Sequence, residues 1–432
     1  MRNILKQTFV FCLTSLLFIF SHSVQAEEII RVALIEGQAT VEISCSDEFA
    51  VSDSWGNTVN LPKGKYFVHI ENGKVNMGDS YSFRGAVTFS NDKNKLLPKI
   101  NKRSYRGTVK IVPQNDDKLL VVNELFLETY LESVLPAKTM VVWPDEAIKA
   151  QAVAARSYAL YKKQHSNGIY DISANDSELD YEGYGSQIEK AAVTKLIKAT
   201  RGQYLADSSG KAVEAVSTSS SGGKTDSAEN LWGREISYLQ SVEDYDSDSP
   251  EYNWEYRVTP AVLENLLAQR GYVIGKITSI RLSPLDEKGA DRTFTGRVKY
   301  VILSGNDGTA KISGAELQQI LGLNSTLFDL ETGTPVPETL KIPIENYYGM
   351  EIGSKDVNIK VKEDNRPVWK NLIRSYHSLT GGKEEKIIFY GKGKGHGLGL
   401  SAWGARGMIN ADEKNTYKRI LAHYYPGTVL VN

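Results

Sequence analysis

The stretch NELFLETYLESVLP (Asn123–Pro136) and the stretch PDEAIKAQAVAARSYALYKKQ (Pro144–Gln164) decide the fold class of this chain. In the first, apolar residues follow helical spacing, and Pro136 with the loop after it ends the predicted helix. The second starts at a proline, a favoured first-turn residue, and carries so many alanines on one face that close packing is expected. The spacing therefore predicts a packed helical segment over about residues 125–163.

The chain before this segment has the period of strands. From Ile29 to about Val122, short alternations of apolar and polar residues are separated by turns such as Asn72-Gly73. After it, strand-like stretches alternate with the predicted helices PAVLENLLAQRG and GAELQQILGL. These periods predict an α+β fold that is β-rich and multi-lobed, with the packed helical segment and mixed strands and helices.

Changes of period and composition divide the chain into five regions. Residues 1–26 have a basic start, an apolar run and a small-residue cleavage site, which indicate a cleaved secretion signal. The other expected regions are an N-terminal β-rich lobe (27–122), a central helix-and-loop region (123–257), an inserted α/β lobe (258–330) and a C-terminal β segment (331–432). Because no low-complexity linker separates them, we expect one fused unit over residues 27–432.

Charge and cysteine content exclude several classes of protein. Charged residues make up 24% of the chain and nearly cancel, with a net charge of −1, which argues against a nucleic-acid partner. Cys12 falls in the predicted signal and leaves Cys45 alone, so neither a disulfide framework nor a thiolate metal site is expected. Beyond the signal, no apolar run reaches the ~20 residues that a bilayer-spanning helix needs. We expect an exported protein without a cofactor, a bound metal or a transmembrane segment in the mature chain.

The stretch GKGKGHGLG (Gly391–Gly399) has glycine at every second position and His396 in its middle. It lacks the GxxxxGK[ST] spacing of a phosphate loop, and no second metal ligand lies near the histidine in sequence. Alternating glycine suits an extended strand with one bare face, which another backbone or a ligand can approach closely. Two interpretations stay open: a tightly packed barrel strand, or a flat pocket wall into which His396 projects, with Gly397 on the bare face.

The run EAVSTSSSGGKTDSAENLWG (residues 214–233) is either a flexible exposed loop or part of a sugar-binding cleft. Serine hydroxyls can hydrogen-bond to sugar hydroxyls, and an aromatic ring can stack on the sugar. No GxSxG elbow is present, so a serine nucleophile has little support. The candidate residues of this run are Ser219, Ser220, Ser221, Gly222, Gly223, Asp226, Glu229 and Trp232.

The helix that begins at Pro144 carries polar residues whose role is open. Glu146, Lys149, Gln151 and Arg156 lie along it, and Trp143 stands at its entrance. A solvated charged face with a helix cap is one interpretation. Participation in the same cleft as the serine run is the other.

Taken together, these segments resemble the stage II sporulation protein D and amidase-enhancer family. The resemblance covers nearly the whole mature chain, and several motifs in the right order make it specific. The matching elements are YRG (Tyr105–Gly107), NELFLETYL, WPDEAIKAQAVAARSYAL, SSSGGKTDSAENLWG, YDSDSPEYNW, GAELQQILGLNST, GHGLGLSAWGARGM and ILAHYYPGTVL.

The resemblance implies a cell-envelope protein, in the periplasm or cell wall, that acts on peptidoglycan glycan strands. Family members are lytic transglycosylases on peptide-stripped glycan or enhancers of a wall amidase. One carboxylic acid protonates the glycosidic oxygen, and the muramic-acid hydroxyl then attacks its own anomeric carbon. The implied glycan groove contains Trp143, residues 219–223, Trp232, His396, Gly397 and Trp403.

This chain departs from the family at the acid. The family segment reads like PSEMPASWP, with its glutamate as the proposed acid, whereas here the segment is PAKTMVVWP and Lys138 occupies that position. A lysine ordinarily titrates near ~10.4, so it is a poor proton donor to a glycosidic oxygen. A further departure is Ala402, where the family often has glutamine.

Three functions follow as competing hypotheses. The first is a lytic transglycosylase whose acid has moved to Glu229, Asp226 or Glu146. The second is a catalytically reduced protein that binds glycan strands and assists a wall amidase. The third is an envelope protein that keeps only the fold.

Overall fold

The structure is a computed structural model of the chain. It describes residues 27–89, 99–114, 117–138, 143–166, 168–185, 190–286, 289–333, 339–345, 351–358, 375–379, 381–382 and 384–432. The predicted signal, residues 1–26, lies outside the described residues. No helix in the described part combines the length and apolar character needed to span a bilayer.

The N-terminal part is built from short antiparallel strands, as the alternating sequence pattern predicts. Its strands are β1 (Ile29–Gln38), β2 (Thr40–Cys45), β3 (Phe49–Asp53), β4 (Thr58–Leu61), β5 (Gly64–Glu71), β6 (Lys74–Met77), β7 (Tyr81–Arg84), β8 (Val87–Phe89), β9 (Lys99–Ile100), β10 (Thr108–Pro113), β11 (Leu119–Phe126) and β12 (Ile172–Ser173). They form a seven-stranded sheet ordered β12-β1-β11-β10-β8-β3-β4 and a five-stranded sheet ordered β7-β6-β5-β2-β9. The apolar residues of these strands bury one face of each sheet in a shared core.

Three helices follow the first sheet: α1 (Leu127–Lys138), α2 (Asp145–Gln164) and α3 (Ala191–Ala199). The predicted start of the helical segment, at about residue 125, is close to the observed start at Leu127, because Asn123–Phe126 pair with β1 as the last residues of β11. Helical spacing alone cannot detect that sheet pairing overrides it. The prediction that the helix ends at Pro136 is wrong by two residues, since α1 continues to Lys138.

The alanine-rich face of α2 is buried, as expected. Residues Ala147 to Ala159 of this helix are buried almost without interruption, and they pack against α3 and the C-terminal helices. The interpretation of a solvated charged face is wrong for two members of that face, Gln151 and Arg156, which are both buried. The Arg156 guanidinium reaches both carboxylate oxygens of Glu128 on α1, at 2.8 and 2.9 Å, and this ion pair fastens the two helices.

A second core lies in the C-terminal half. The remaining elements of this half, in chain order, are β13 (Tyr204–Ala206), β14 (Ser217–Thr218), α4 (Ala228–Trp232), β15 (Asn253–Val258), α5 (Pro260–Gln269), β16 (Ile277–Arg281), β17 (Tyr300–Gly305), β18 (Gly308–Ser313), α6 (Gly314–Leu321), β19 (Phe328–Gly333), β20 (Thr339–Glu345), β21 (Glu351–Asn358), β22 (Tyr376–Ser378), β23 (Lys386–Lys392), β24 (Leu400–Ser401), α7 (Ala402–Ala411), α8 (Tyr417–Tyr424) and β25 (Val429–Val431). Buried side chains from β15 through β23 form this core, separately from the first. The molecule is thus α+β, β-rich and multi-lobed, as predicted.

Two short strand pairs return the C-terminal segment to the first core. β14 pairs in parallel with β24, and β13 pairs antiparallel with β25. The first pair brings the serine run of residues 214–233 beside the glycine stretch of residues 391–399. The second pair contacts α2 through β13, and α7 and α8 contact the same helix, so C-terminal structure covers part of it.

Candidate functional site

A cavity of about 240 Å³ lies where the elements singled out in the sequence meet. Helices α1 and α2 form one side, β14 and the residue after it form the next, and β24 with the start of α7 closes the site. The lining residues are Leu135, Gln151, Ala155, Leu179, Ser217, Thr218, Ser219, Leu400 and Ala402. The helix, the serine run and the segment after the glycine stretch therefore border one site.

In the serine run, Ser219 lines the cavity. The next four residues hydrogen-bond instead to the carboxylates of Asp244 and Asp246, which we call the anchor. Ser220 and Ser221 are fully buried. Ser220 Oγ donates to Asp246 Oδ2 at 2.6 Å, and Ser221 Oγ donates to Asp244. The backbone N–H groups of Gly222 and Gly223 complete the arrangement by donating to the Asp246 carboxylate at 2.8 and 2.9 Å. In the structure these four residues are hydrogen-bonded to the anchor, and their role in glycan binding stays a prediction.

The anchor is a buried cluster of charge. Burial and the neighbouring Asp246 raise the pKa of Asp244, although the Tyr424 hydroxyl donates to Asp244 Oδ1 at 2.6 Å. Arg297, which is fully buried, places a cation under the loop and donates to the carbonyl of Ser221 at 2.6 Å. Burial lowers the pKa of Arg297 to about 10. Opposite charges under the loop offset part of each other's burial cost and fix its backbone.

The glycine stretch is not the extended strand that its alternation suggested. Gly393, Gly395, Gly397 and Gly399 all have positive φ, between 64° and 105°. This left-handed backbone, which favours glycine, coils the chain past the serine run. At Gly397 a Cβ atom would come within 2.0 Å of the Arg297 guanidinium. The bare positions therefore serve backbone conformation and close packing, which favours the tightly packed interpretation, and a glycan contact at Gly397 stays a prediction.

His396 lies in the middle of this coil and is held by a residue that sequence reasoning missed. Its Nε2 lies 2.8 Å from Glu178 Oε1, and its Nδ1 accepts from the Leu398 N–H at 3.0 Å. Because Nδ1 accepts, the ring proton belongs on Nε2, which donates to the carboxylate. Glu178 Oε2 also accepts from the Ser217 N–H at 2.8 Å, so the pair connects the coil to the cavity wall.

The tryptophans predicted to bind glycan have three different environments. Trp143 is buried, with 6% of its surface exposed, and meets Trp403 edge-on with ring centroids 5.3 Å apart. Trp403 is partly buried and carries the Arg406 guanidinium 5.1 Å from its ring centre. Trp232 on α4 is 40% exposed with Arg234 over its ring. Trp143 therefore supports Trp403 and offers no open face to a sugar.

The candidate replacement acids do not line the cavity. Asp226 is fully buried and its carboxylate accepts from the Ser227 N–H, the Asn230 amide and the Thr295 hydroxyl. Glu229 is exposed on α4.

Glu146 has a structural role instead. It pairs with Lys149 at 2.6 Å and accepts from the Tyr417 N–H, so it joins the start of α2 to α8.

Lys138 is the final residue of α1, one helical turn after the cavity-lining Leu135. Its side chain lies outside the described part of the structure, so its role at the cavity stays a prediction. Within the segments that the structure describes, no group of three or more His, Cys, Asp or Glu side chains is arranged to hold a metal ion.

Comparison with known proteins agrees with the motifs. The sequence model of the SpoIID family, described as stage II sporulation protein, matches residues 115–206, the stretch with α1, α2 and Glu178. An uncharacterized protein of Brachyspira hyodysenteriae is 29% identical over 77% of this chain and 74% of its own length. Stage II sporulation protein D of Bacillus subtilis is 24% identical over 71% of this chain and 75% of its own.

The amidase enhancer of Bacillus subtilis is 25% identical over 91% of this chain, which spans only 52% of that protein. Relatives that carry these two names thus match between 71% and 91% of this chain. The chain is similar to stage II sporulation protein D and to the amidase enhancer over most of its length, and within residues 115–206 it matches the SpoIID family model.

Proposed function

We propose that this protein binds peptidoglycan glycan strands in the cell envelope and assists a wall amidase, with the family's transglycosylase reaction reduced or lost. One observation carries the proposal: no residue among the nine described lining residues of the cavity is a carboxylate. A lytic transglycosylase needs at least one protonated carboxyl at the glycosidic oxygen. The position that the family resemblance assigns to that acid is Lys138.

The cavity retains groups suited to holding a sugar. Hydroxyl and amide side chains face it beside leucine and alanine walls, the mixture common in small-molecule sites. The amidase part of the proposal is supported by the name of one relative, the amidase enhancer, and by the match that extends over both lobes.

An active lytic transglycosylase is the second candidate, and Glu178 is the observation that favours it. Its carboxylate lies directly behind the cavity wall, hydrogen-bonded to Ser217. Both of its oxygens accept from nitrogen donors, Ser217 N–H and His396 Nε2–H. Because both oxygens already accept hydrogen bonds, a Glu178 carboxyl that donates a proton to a substrate would have to give up one of these contacts.

The test uses the purified mature chain with peptide-free glycan strands and with intact sacculi. Co-sedimentation measures binding, and mass spectrometry measures anhydro-muramic ends. We expect binding with few or no new anhydro ends, and faster release of peptides by an added wall amidase. Abundant anhydro ends would replace this proposal with the active enzyme, and absence of binding to either material would leave only a structural role.

A further inference from the structure

The cavity contains polar groups that the fold itself does not use. Thr218 is satisfied, because its hydroxyl donates to the Lys394 carbonyl at 3.0 Å and accepts from the Gly397 N–H at 3.2 Å. Ser217 lies beside Glu178, with Oγ 3.5 Å from the carboxylate. The remaining polar side chains are Gln151 and Ser219. Among the described residues, neither Gln151 Oε1 nor Ser219 Oγ has a hydrogen-bond partner.

Gln151 is unusual for its position. It lies on the alanine-rich face of α2 with only 6% of its surface exposed. Its Nε2 donates to the Ala147 carbonyl one turn earlier, at 3.3 Å, and this bond fixes the amide while the oxygen stays available to the cavity. The oxygen is not among the buried atoms that lack a partner, so it is open to the cavity, where a ligand or water can donate to it.

The unpaired polar groups and the apolar walls of the cavity together fit a ligand that carries a small amide group. Gln151 Oε1 can accept an N–H, and Ser219 Oγ can donate to a carbonyl. Ala155, Leu179 and Leu400 supply apolar surface for a methyl group. The volume, about 240 Å³, is below the ~300–1,000 Å³ of typical ligand pockets, so a single sugar-sized group enters and a strand continues outside.

We propose that Gln151 is the residue that recognises the acetamido group of an N-acetylhexosamine in the glycan strand. The inference rests on the proposed function and adds which part of the glycan occupies the cavity. Gln151 accepts the acetamido N–H, Ser219 donates to its carbonyl, and the methyl packs on the apolar wall. The amide of an alanine in a stem peptide has the same donor, acceptor and methyl, so the test separates the two sources.

The experiment is calorimetric titration of the mature chain with three neutral probes. These are a tetramer of N-acetylglucosamine, cellotetraose, and N-acetyl-alanyl-alanine amide. Cellotetraose keeps the β-1,4 backbone and replaces each acetamido group by a hydroxyl. We expect the acetylated tetramer to bind roughly tenfold more tightly than cellotetraose, because a site built around an amide rejects a ligand without one. The dipeptide amide should bind weakly or not at all.

Gln151→Met keeps the length of the side chain and removes its amide. We expect it to weaken binding of the acetylated tetramer by roughly 3–10-fold, the range for one lost hydrogen bond, and to leave cellotetraose unchanged. Gln164→Met is the matched control, since Gln164 is exposed at the end of the same helix. Ser219→Ala is the second variant, with a smaller loss expected, and serves if Gln151→Met unfolds.

Each outcome decides. Equal affinity of the wild type for both saccharides, or an unchanged preference in Gln151→Met and Ser219→Ala, overturns this inference and leaves glycan binding intact. Tighter binding of the dipeptide amide overturns it in favour of the stem peptide. If the wild type binds neither saccharides nor sacculi, the proposed function fails and this inference fails with it.

Discussion

The Ser/Gly loop (Ser219–Gly223) and the middle of α2 around Gln151 differ in how they use polar groups. The loop has the more polar sequence, yet after its first residue the hydroxyls and amides are engaged by Asp244 and Asp246. The helix has the more apolar sequence, yet it presents a free amide oxygen to the cavity. A polar group can contribute to ligand recognition only if the fold does not already use it in a hydrogen bond.

The largest effect is expected from adding a carboxyl near the cavity, where the described lining has polar groups but no acid. Lys138→Glu places an acid at the end of α1, at the position that the family resemblance assigns to the general acid. We expect a gain of about 10²–10⁴-fold in anhydro-muramic ends released from peptide-free glycan, measured by mass spectrometry. Ala402→Gln is added if the single change is silent.

The control for this gain is Lys211→Glu, which makes the same charge change on an exposed turn. It should leave glycan cleavage at the level of the wild type. Robust cleavage by the wild type that survives Lys138→Ala would show that another carboxyl serves as the acid.

The next effect tests whether the glycine coil is structural. Gly397→Val forces a branched side chain into a backbone with φ of 81° and against Arg297. Backbone strain of ~1–3 kcal/mol and overpacking of ~1–3 kcal/mol predict a loss of about 2–6 kcal/mol in the free energy of unfolding, measured with urea. Gly427→Val is the control, since it has a φ of 79° but open space around the added atoms. Equal losses in the two variants would contradict the close packing against Arg297.

A pair of serine substitutions tests the comparison itself. Ser220→Ala removes a donor from the buried Asp246 and should cost about 1–3 kcal/mol of stability, measured by urea unfolding. Ser219→Ala removes a hydroxyl with no described partner and should stay within ~0.5 kcal/mol while glycan affinity falls. If both variants lost stability alike, the division of the loop into an anchor and a cavity-facing residue would be wrong.

The smallest effect concerns pH. The folded-state pKa of Asp244 is raised by burial and by Asp246, so its contribution to stability is greatest at low pH and falls as pH rises through that pKa. In Asp244→Asn this contribution does not titrate. The unfolding free energy of the wild type minus that of the variant should therefore decrease from pH 4 to pH 7, measured with urea at each pH. An increase over that range would contradict the raised pKa.

Much of the fold follows from local patterns in the sequence. The alternating strands before Val122, the alanine face of α2 and the capped helices α5 and α6 are each visible in a short window. The end of β11 was missed because the pairing of Asn123 with both neighbouring strands is a long-range property. Residues 123–126 also have helical spacing, but their hydrogen bonds to the neighbouring strands make them part of β11.

The candidate site was predictable in its segments and less so in its side chains. Motif order placed the serine run, α2 and the glycine stretch together. Glu178 gave no signal, because a glutamate in a polar loop is ordinary until the fold sets it against His396. The alternating glycines predicted an extended strand, because sequence alone does not show that four of them adopt positive φ beside the serine run and Arg297.

The pairing of β14 with β24 has a consequence for how the molecule is made. Beside this pair, the Thr218 hydroxyl donates to the Lys394 carbonyl, 176 positions further along the chain. The residues of the second core lie between these two positions in the sequence. Closing so long a loop costs chain entropy before any contact repays it, and such contacts slow folding. Partly folded chains will hold α1 and α2 without the wall that Leu400 and Ala402 supply. The complete cavity forms only when β14 and β24 pair, so the proposed glycan binding would report complete folding better than helix content does.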